Sequence, residues 1–97
     1  MADPARWQRL ADSLTAAGVP DVKITQFGES HYIGWRLANG WLVEVHDKWW
    51  SKNIDKWIGW QVDIQGRDDF IKRTWPLTKK RGEVVAAVIE ARKMETK

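Results

Sequence analysis

Lys72, Arg73, Lys79, Lys80 and Arg81 fall within ten residues that contain no acid. Cations with no carboxylate between them make a patch for an anion, and a phosphate backbone is the polyanion that such patches suit. The pattern predicts that Lys79, Lys80 and Arg81 occupy the first turn of a helix. The macrodipole disfavours cations there, while the unpaired amides at a helix start suit a phosphate. A solvated charged turn would have the same composition. A second group lies upstream, in the segment Lys48-Trp49-Trp50-Ser51-Lys52-Asn53-Ile54-Asp55-Lys56-Trp57, which reads as a loop. Its Trp49, Trp50 and Trp57 could stack on bases while Lys52 and Lys56 meet phosphates. Exposed tryptophans also anchor protein interfaces. The structural alternative is a lid of Trp50, Ile54 and Trp57 over a sheet edge, and at least one of these indoles is expected to be structural.

His31, His46 and Asp47 are the third group. Two imidazoles and a carboxylate are metal-ligand types, but neighbours on a strand point to opposite faces, which separates His46 from Asp47. A His31–Asp47 contact across two strands is the simpler expectation, with no metal. Catalytic patterns are otherwise missing. The chain has no cysteine, no Gly-rich phosphate loop and no Gly-x-Ser-x-Gly elbow. Ser13, Ser30 and Ser51 lack a base and an orienting partner, and Glu44 and Asp63 read as single carboxylates. The expectation is a binding protein, neither an enzyme nor a cofactor carrier.

The elements that must position these groups can be read from periodicity. Asp3 suits an N-cap and Pro4 a first helical position. Trp7, Leu10, Ala11 and Leu14 then make one apolar stripe, and Gly18 followed by Pro20 ends the helix. Val22 to Phe27 reads as a strand, with a turn at Gly28-Glu29-Ser30. The hairpin around Ala38-Asn39-Gly40 can be argued by register. A two-residue loop would mix apolar and polar faces. A three-residue loop with Gly40 left-handed pairs Leu37 with Trp41, Trp35 with Val43 and Ile33 with Val45, which makes one face wholly apolar. Tyr32, Gly34, Arg36, Leu42, Glu44 and His46 then share the other, partly wet face. Ile58, Trp60, Val62 and Ile64 alternate with polar or small residues as a further half-buried strand. After a turn at Gly66 to Asp69, Phe70 to Trp75 reads as one more short edge strand, which Pro76 stops. A last helix follows, with Thr78 as N-cap, Val84, Val85, Val88 and Ile89 as its buried stripe, and fraying from Met94 to Lys97. The sum is a single α+β domain over residues 1–97, α-β-β-β-β-α, with an antiparallel sheet and both helices on one face.

Composition bounds the rest. The chain has 97 residues, a hydrophobic fraction of 43%, a charged fraction of 30% and a net charge of +3, which is ordinary for one globular domain and permits nucleic-acid binding without demanding it. No apolar run approaches a membrane span and no signal peptide is evident, so a cytoplasmic location is expected. Eight tryptophans are the unusual feature. Three or four could serve a core of this size, and the others should reach the surface because each is large and its N–H needs a partner.

The order helix, strand meander, helix resembles a double-stranded-RNA-binding domain. Gly28-Glu29-Ser30-His31 is similar to that family's Gly-Pro-x-His turn, and Thr78-Lys79-Lys80 with Ala86-Ala87 is similar to its Ser-Lys-Lys helix start. The resemblance implies His31 near a minor groove, with Lys79 and Lys80 bridging phosphates across a major groove. Glu29 replaces the usual proline, Gly82 lies in the lysine-bearing helix, and residues 51–77 are inserted. The chain also resembles small uncharacterised proteins of actinobacteria and their phages, through the run Thr78 to Ala87. Two partner classes follow: nucleic acid, through Lys72, Arg73, Lys79, Lys80, Arg81 and His31 with the Trp/Lys segment, or a host protein, through the exposed tryptophans. A homodimer through an exposed sheet edge is a further arrangement the sequence allows.

Overall fold

The computed structural model describes residues 4–27, 30–50 and 53–96, with the backbone alone at 27, 53–55, 95 and 96. Helix α1 spans Pro4–Ala16 and buries Trp7, Leu10, Ala11 and Leu14, the stripe expected from spacing. Its end is fixed by two backbone bonds, Gly18 N–H to the Thr15 carbonyl and Val19 N–H to the Leu14 carbonyl. That pair is a Schellman closure, which also sets buried Val19 beside Leu14. The expected cap Asp3 lies outside the described residues.

Five strands follow: β1 Ile24–Phe27, β2 Ser30–Arg36, β3 Leu42–Trp50, β4 Asn53–Gln65 and β5 Ile71–Thr74. They form one antiparallel sheet in sequence order. The β2–β3 hairpin has the register argued from loop length. Ile33 faces Val45 and Trp35 faces Val43. Leu37 N–H donates to the Trp41 carbonyl at 2.7 Å, and Gly40 sits at φ +88°. Helix α2 spans Arg81–Arg92, and Lys93–Thr96 continues it as a 3-10 turn with Met94 packed against the core, where fraying was expected. Both helices lie on the sheet face that carries Ile33, Trp35, Val43, Val45, Val62 and Ile64, so the core is one layer between them and the sheet. Among the described residues no helix lies on the opposite sheet face.

Three expectations are corrected. The Trp/Lys segment is not a loop, because β3 runs on to Trp50 and β4 starts at Asn53, which makes a long ribbon. Lys48 pairs with Gly59 and Trp49 with Trp57, so Ile58 is an extra residue that shifts the phase of β4. That shift hid the strand from a simple alternation count and turns Trp57 toward Trp60. The second correction is the start of α2. Thr78 is not its N-cap. It is held on the outer edge of β4 by two backbone bonds with Trp60, of 2.8 and 3.0 Å. Gly59, at φ +140°, lets that edge approach, since a Cβ there would stand 2.7 Å from the Thr78 carbonyl oxygen. The helix therefore opens at Arg81 with Lys80 as N-cap, and no side chain caps it. Third, its buried row is Val84, Ala87, Val88 and Ala91, with Val85 and Ile89 only half-buried. The alanines let the helix lie close to the sheet.

Candidate nucleic-acid interface and the open sheet face

The five cations of the acid-free run do not converge. Lys72 Nζ donates to Asp68 Oδ2 at 3.0 Å, and this bond, helped by the Phe70 amide, holds the Asp68 carboxyl below its ordinary value. Arg73 pairs with Glu90 at 2.5 Å and lies over the Trp75 ring, 4.4 Å from its centroid. Acids outside the run, Asp68 four residues before Lys72 and the distant Glu90, thus engage the first two. Lys79, Lys80 and Arg81 are exposed. They line a shallow open groove whose other wall is Ser13, Ala16 and Ala17, at the end of α1.

The structure joins this groove to the Trp/Lys ribbon. Trp57 packs edge-on against Trp60, with ring centroids 4.8 Å apart. The Arg6 guanidinium stands 3.9 Å from the Trp57 ring centroid, and Lys79 Nζ stands 5.9 Å from it. Trp57 is therefore the structural indole expected of this segment, and its π-system is occupied by protein cations. Trp50 is 50% exposed, Trp49 half-buried and Lys56 exposed. Lys52 and the side chain of Ile54 lie outside the described residues. Of the eight tryptophans, Trp7, Trp35, Trp60 and Trp75 are buried and Trp50 is exposed, in keeping with the expected division.

His31 belongs to the helix-facing row. Its ring is tilted against Trp7 at a centroid distance of 6.2 Å, and its Nδ1 is buried without a hydrogen-bond partner. The expected His31–Asp47 pair is absent, because Asp47 Oδ2 accepts the Trp7 indole N–H at 3.2 Å. A different pair forms on the uncovered face, where His46 Nε2 and Asp63 Oδ2 are 2.7 Å apart. Glu44 lies directly across from Asp63. These two carboxylates are not isolated, as the sequence reading had them. Burial raises the Glu44 carboxyl, the Asp63 charge raises it further, and His46 and Arg36 pull it down. The cluster was accessible to reasoning, since β3 and β4 each place their polar residues on one face, but the register between them was needed to bring Glu44, His46 and Asp63 together. No serine or threonine hydroxyl among the described residues is hydrogen-bonded to its imidazole. Among the described residues no three His, Asp or Glu side chains gather as metal ligands would. No helix among the described residues is long and apolar enough to cross a membrane.

No family model, curated protein or solved structure matches this chain.

Proposed function

We propose that the protein is a binding module for nucleic acid, with Lys79, Lys80, Arg81 and Lys56 meeting phosphates and Trp49 and Trp50 stacking on bases. The observation that carries this reading is the placement of Lys79 over Trp57, which brings the basic turn before α2 beside the Trp57 end of the Trp/Lys ribbon. Trp50 is half-exposed and Lys56, Lys79 and Lys80 are exposed, and indoles with ammonium groups suit single strands because every base offers a π-face. Lys72 and Arg73 take a lesser part, being engaged by Asp68 and Glu90. His31 faces Trp7, which speaks for single strands over the duplex-RNA geometry that the family resemblance implies. The test is a tryptophan-fluorescence titration with single-stranded DNA, duplex DNA and duplex RNA at low and moderate salt. Salt-sensitive quenching, weakened by Lys79→Ala or Lys80→Ala and indifferent to Lys72→Ala, is expected. No response to any of the three at low salt and high concentration ends the proposal.

A second reading rests on apolar exposure. Trp50, Phe70, Ile71 and Leu77 are exposed by 50%, 70%, 57% and 42%, and exposed large apolar side chains are interface anchors. In that case a host protein is the partner, and Trp50→Ala abolishes its capture while the fold survives. Capture unchanged by Trp50→Ala removes this reading.

A further inference from the structure

Four tryptophans are buried, and their indole N–H groups divide into two pairs. Trp7 donates to Asp47 at 3.2 Å and Trp35 to the Pro20 carbonyl at 2.8 Å. Trp60 and Trp75 donate to nothing, although each Nε1 is buried. Buried donors without an acceptor are uncommon in folded proteins, because the desolvation of the N–H is left uncompensated. These two residues line the same cavity, of about 300 Å³, in the seam between β4, the segment after β5 and helix α2, whereas Trp57, whose Nε1 also lacks a partner, lies outside it. Its walls are mainly apolar, with Val62 on the sheet side and Val84 and Ala87 on the helix. Small-molecule sites share this character: an apolar hollow of about 300–1,000 Å³ with a few polar groups that fix orientation.

The wall chemistry narrows the ligand. Two N–H donors call for an acceptor oxygen, and the apolar walls for a hydrocarbon or aromatic body. Glu83 and Glu90 also line the cavity, Glu83 hydrogen-bonded by Thr78 and Glu90 paired with Arg73. Two carboxylates disfavour an anionic ligand. Trp75 is contacted on one side by the Arg73 guanidinium and Trp60 by the edge-on Trp57 ring. Each nitrogen is shielded, so binding requires each indole to turn its N–H toward the ligand. We propose that this seam binds a small, uncharged, largely apolar molecule that presents a carbonyl-type oxygen to Trp60 and Trp75. The site lies apart from the groove of Lys79 to Arg81, and it does not depend on the nucleic-acid reading.

The test uses 2-acetylnaphthalene and its matched hydrocarbon, 2-ethylnaphthalene, added to the ¹⁵N-labelled full chain. The indole N–H signals of Trp60 and Trp75 should move saturably with the ketone, while those of Trp7 and Trp35, already bonded, stay in place. The hydrocarbon should bind at least tenfold more weakly. Ala86, exposed and at the cavity wall, gives a blocking variant that spares the core, and Ala86→Phe should abolish ketone binding. Equal binding of the two probes, no saturable movement of the two signals, or undiminished binding to a folded Ala86→Phe variant each overturns the proposal. So does movement that follows protein concentration instead of ketone, which would make a second copy the occupant. Should Ala86→Phe fail to fold, the ratio between ketone and hydrocarbon on the natural chain still decides.

Discussion

Asp63 is the buried charged residue among those described, at 5% exposure, and it stands on the sheet face that no helix covers. One of its oxygens meets His46 and the other meets nothing. Across the strand Glu44 brings a second carboxylate into the same half-buried patch. The Glu44 carboxyl is pushed upward, with burial as the larger cause and the Asp63 charge next. The sign of the consequence follows from linkage. A carboxyl raised in the folded state binds a proton more readily there than in the unfolded chain, so folding gains stability as pH falls through the raised value and loses it as pH rises. Glu44→Gln, which imitates the protonated form, should therefore be more stable than the natural protein at neutral pH. The difference should shrink on acidification and vanish below the ordinary carboxylate value of about 4.3. Urea melts of both proteins at a series of pH values measure it, and a difference independent of pH would show that the carboxylate charge is not its origin. None of this was legible from Glu44 and Asp63 taken singly, because a carboxylate's partner in a sheet lies on another strand.

The elements divide by how local their determinants are. Helix α1 and the β2–β3 hairpin were readable because a stripe, a helix stop and a loop count each lie within a short stretch of chain. The β3–β4 ribbon was not, since the extra residue Ile58 breaks the period of two, and adjacent Trp49 and Trp50 carry no face preference in a sequence. The start of α2 was misplaced for a tertiary reason, the capture of Thr78 by the edge of β4. Two glycines separate these cases by experiment. Gly40 is at φ +88°, and an added Cβ would meet only the Arg67 side chain, which can move away. Gly40→Ala should thus cost little beyond the left-handed backbone, about 1–2 kcal/mol. Gly59→Ala adds a Cβ that meets the Thr78 carbonyl, a backbone atom whose displacement breaks the two bonds with Trp60. Each backbone bond contributes about 0.5–1.5 kcal/mol net, so Gly59→Ala should cost more than Gly40→Ala, by roughly 1–3 kcal/mol. Equal losses in denaturant midpoints would show that the Thr78 bridge is not a stabilising element. Because the bridge precedes Lys79, Gly59→Ala should also weaken nucleic-acid binding beyond its effect on folding.

At the scale of the molecule, charge decides what can be bound and how tightly. A net charge of +3 is too small for a broad field, so affinity must come from a few cations near Trp57. Lys56, Lys79, Lys80 and Arg81 are exposed there or on the adjoining turn. If each of these four groups neutralises one phosphate of a single strand, the slope of log affinity against log salt is about −2.8, from ~0.7 per contact. A fourfold rise in salt should then weaken binding by roughly 50-fold. Lys79→Ala or Lys80→Ala should each flatten the slope by about one contact's share, ~0.7, whatever the base sequence. Lys72→Ala should leave it unchanged, because the ammonium it removes is already matched by Asp68 at 3.0 Å. Trp50→Ala separates the two terms from the other side. Loss of stacking lowers affinity at every salt concentration, by about 1–3 kcal/mol per base, with the slope preserved. A slope near zero, or one that Lys72→Ala flattens as much as Lys79→Ala does, would mean that binding does not run through the basic turn beside Trp57.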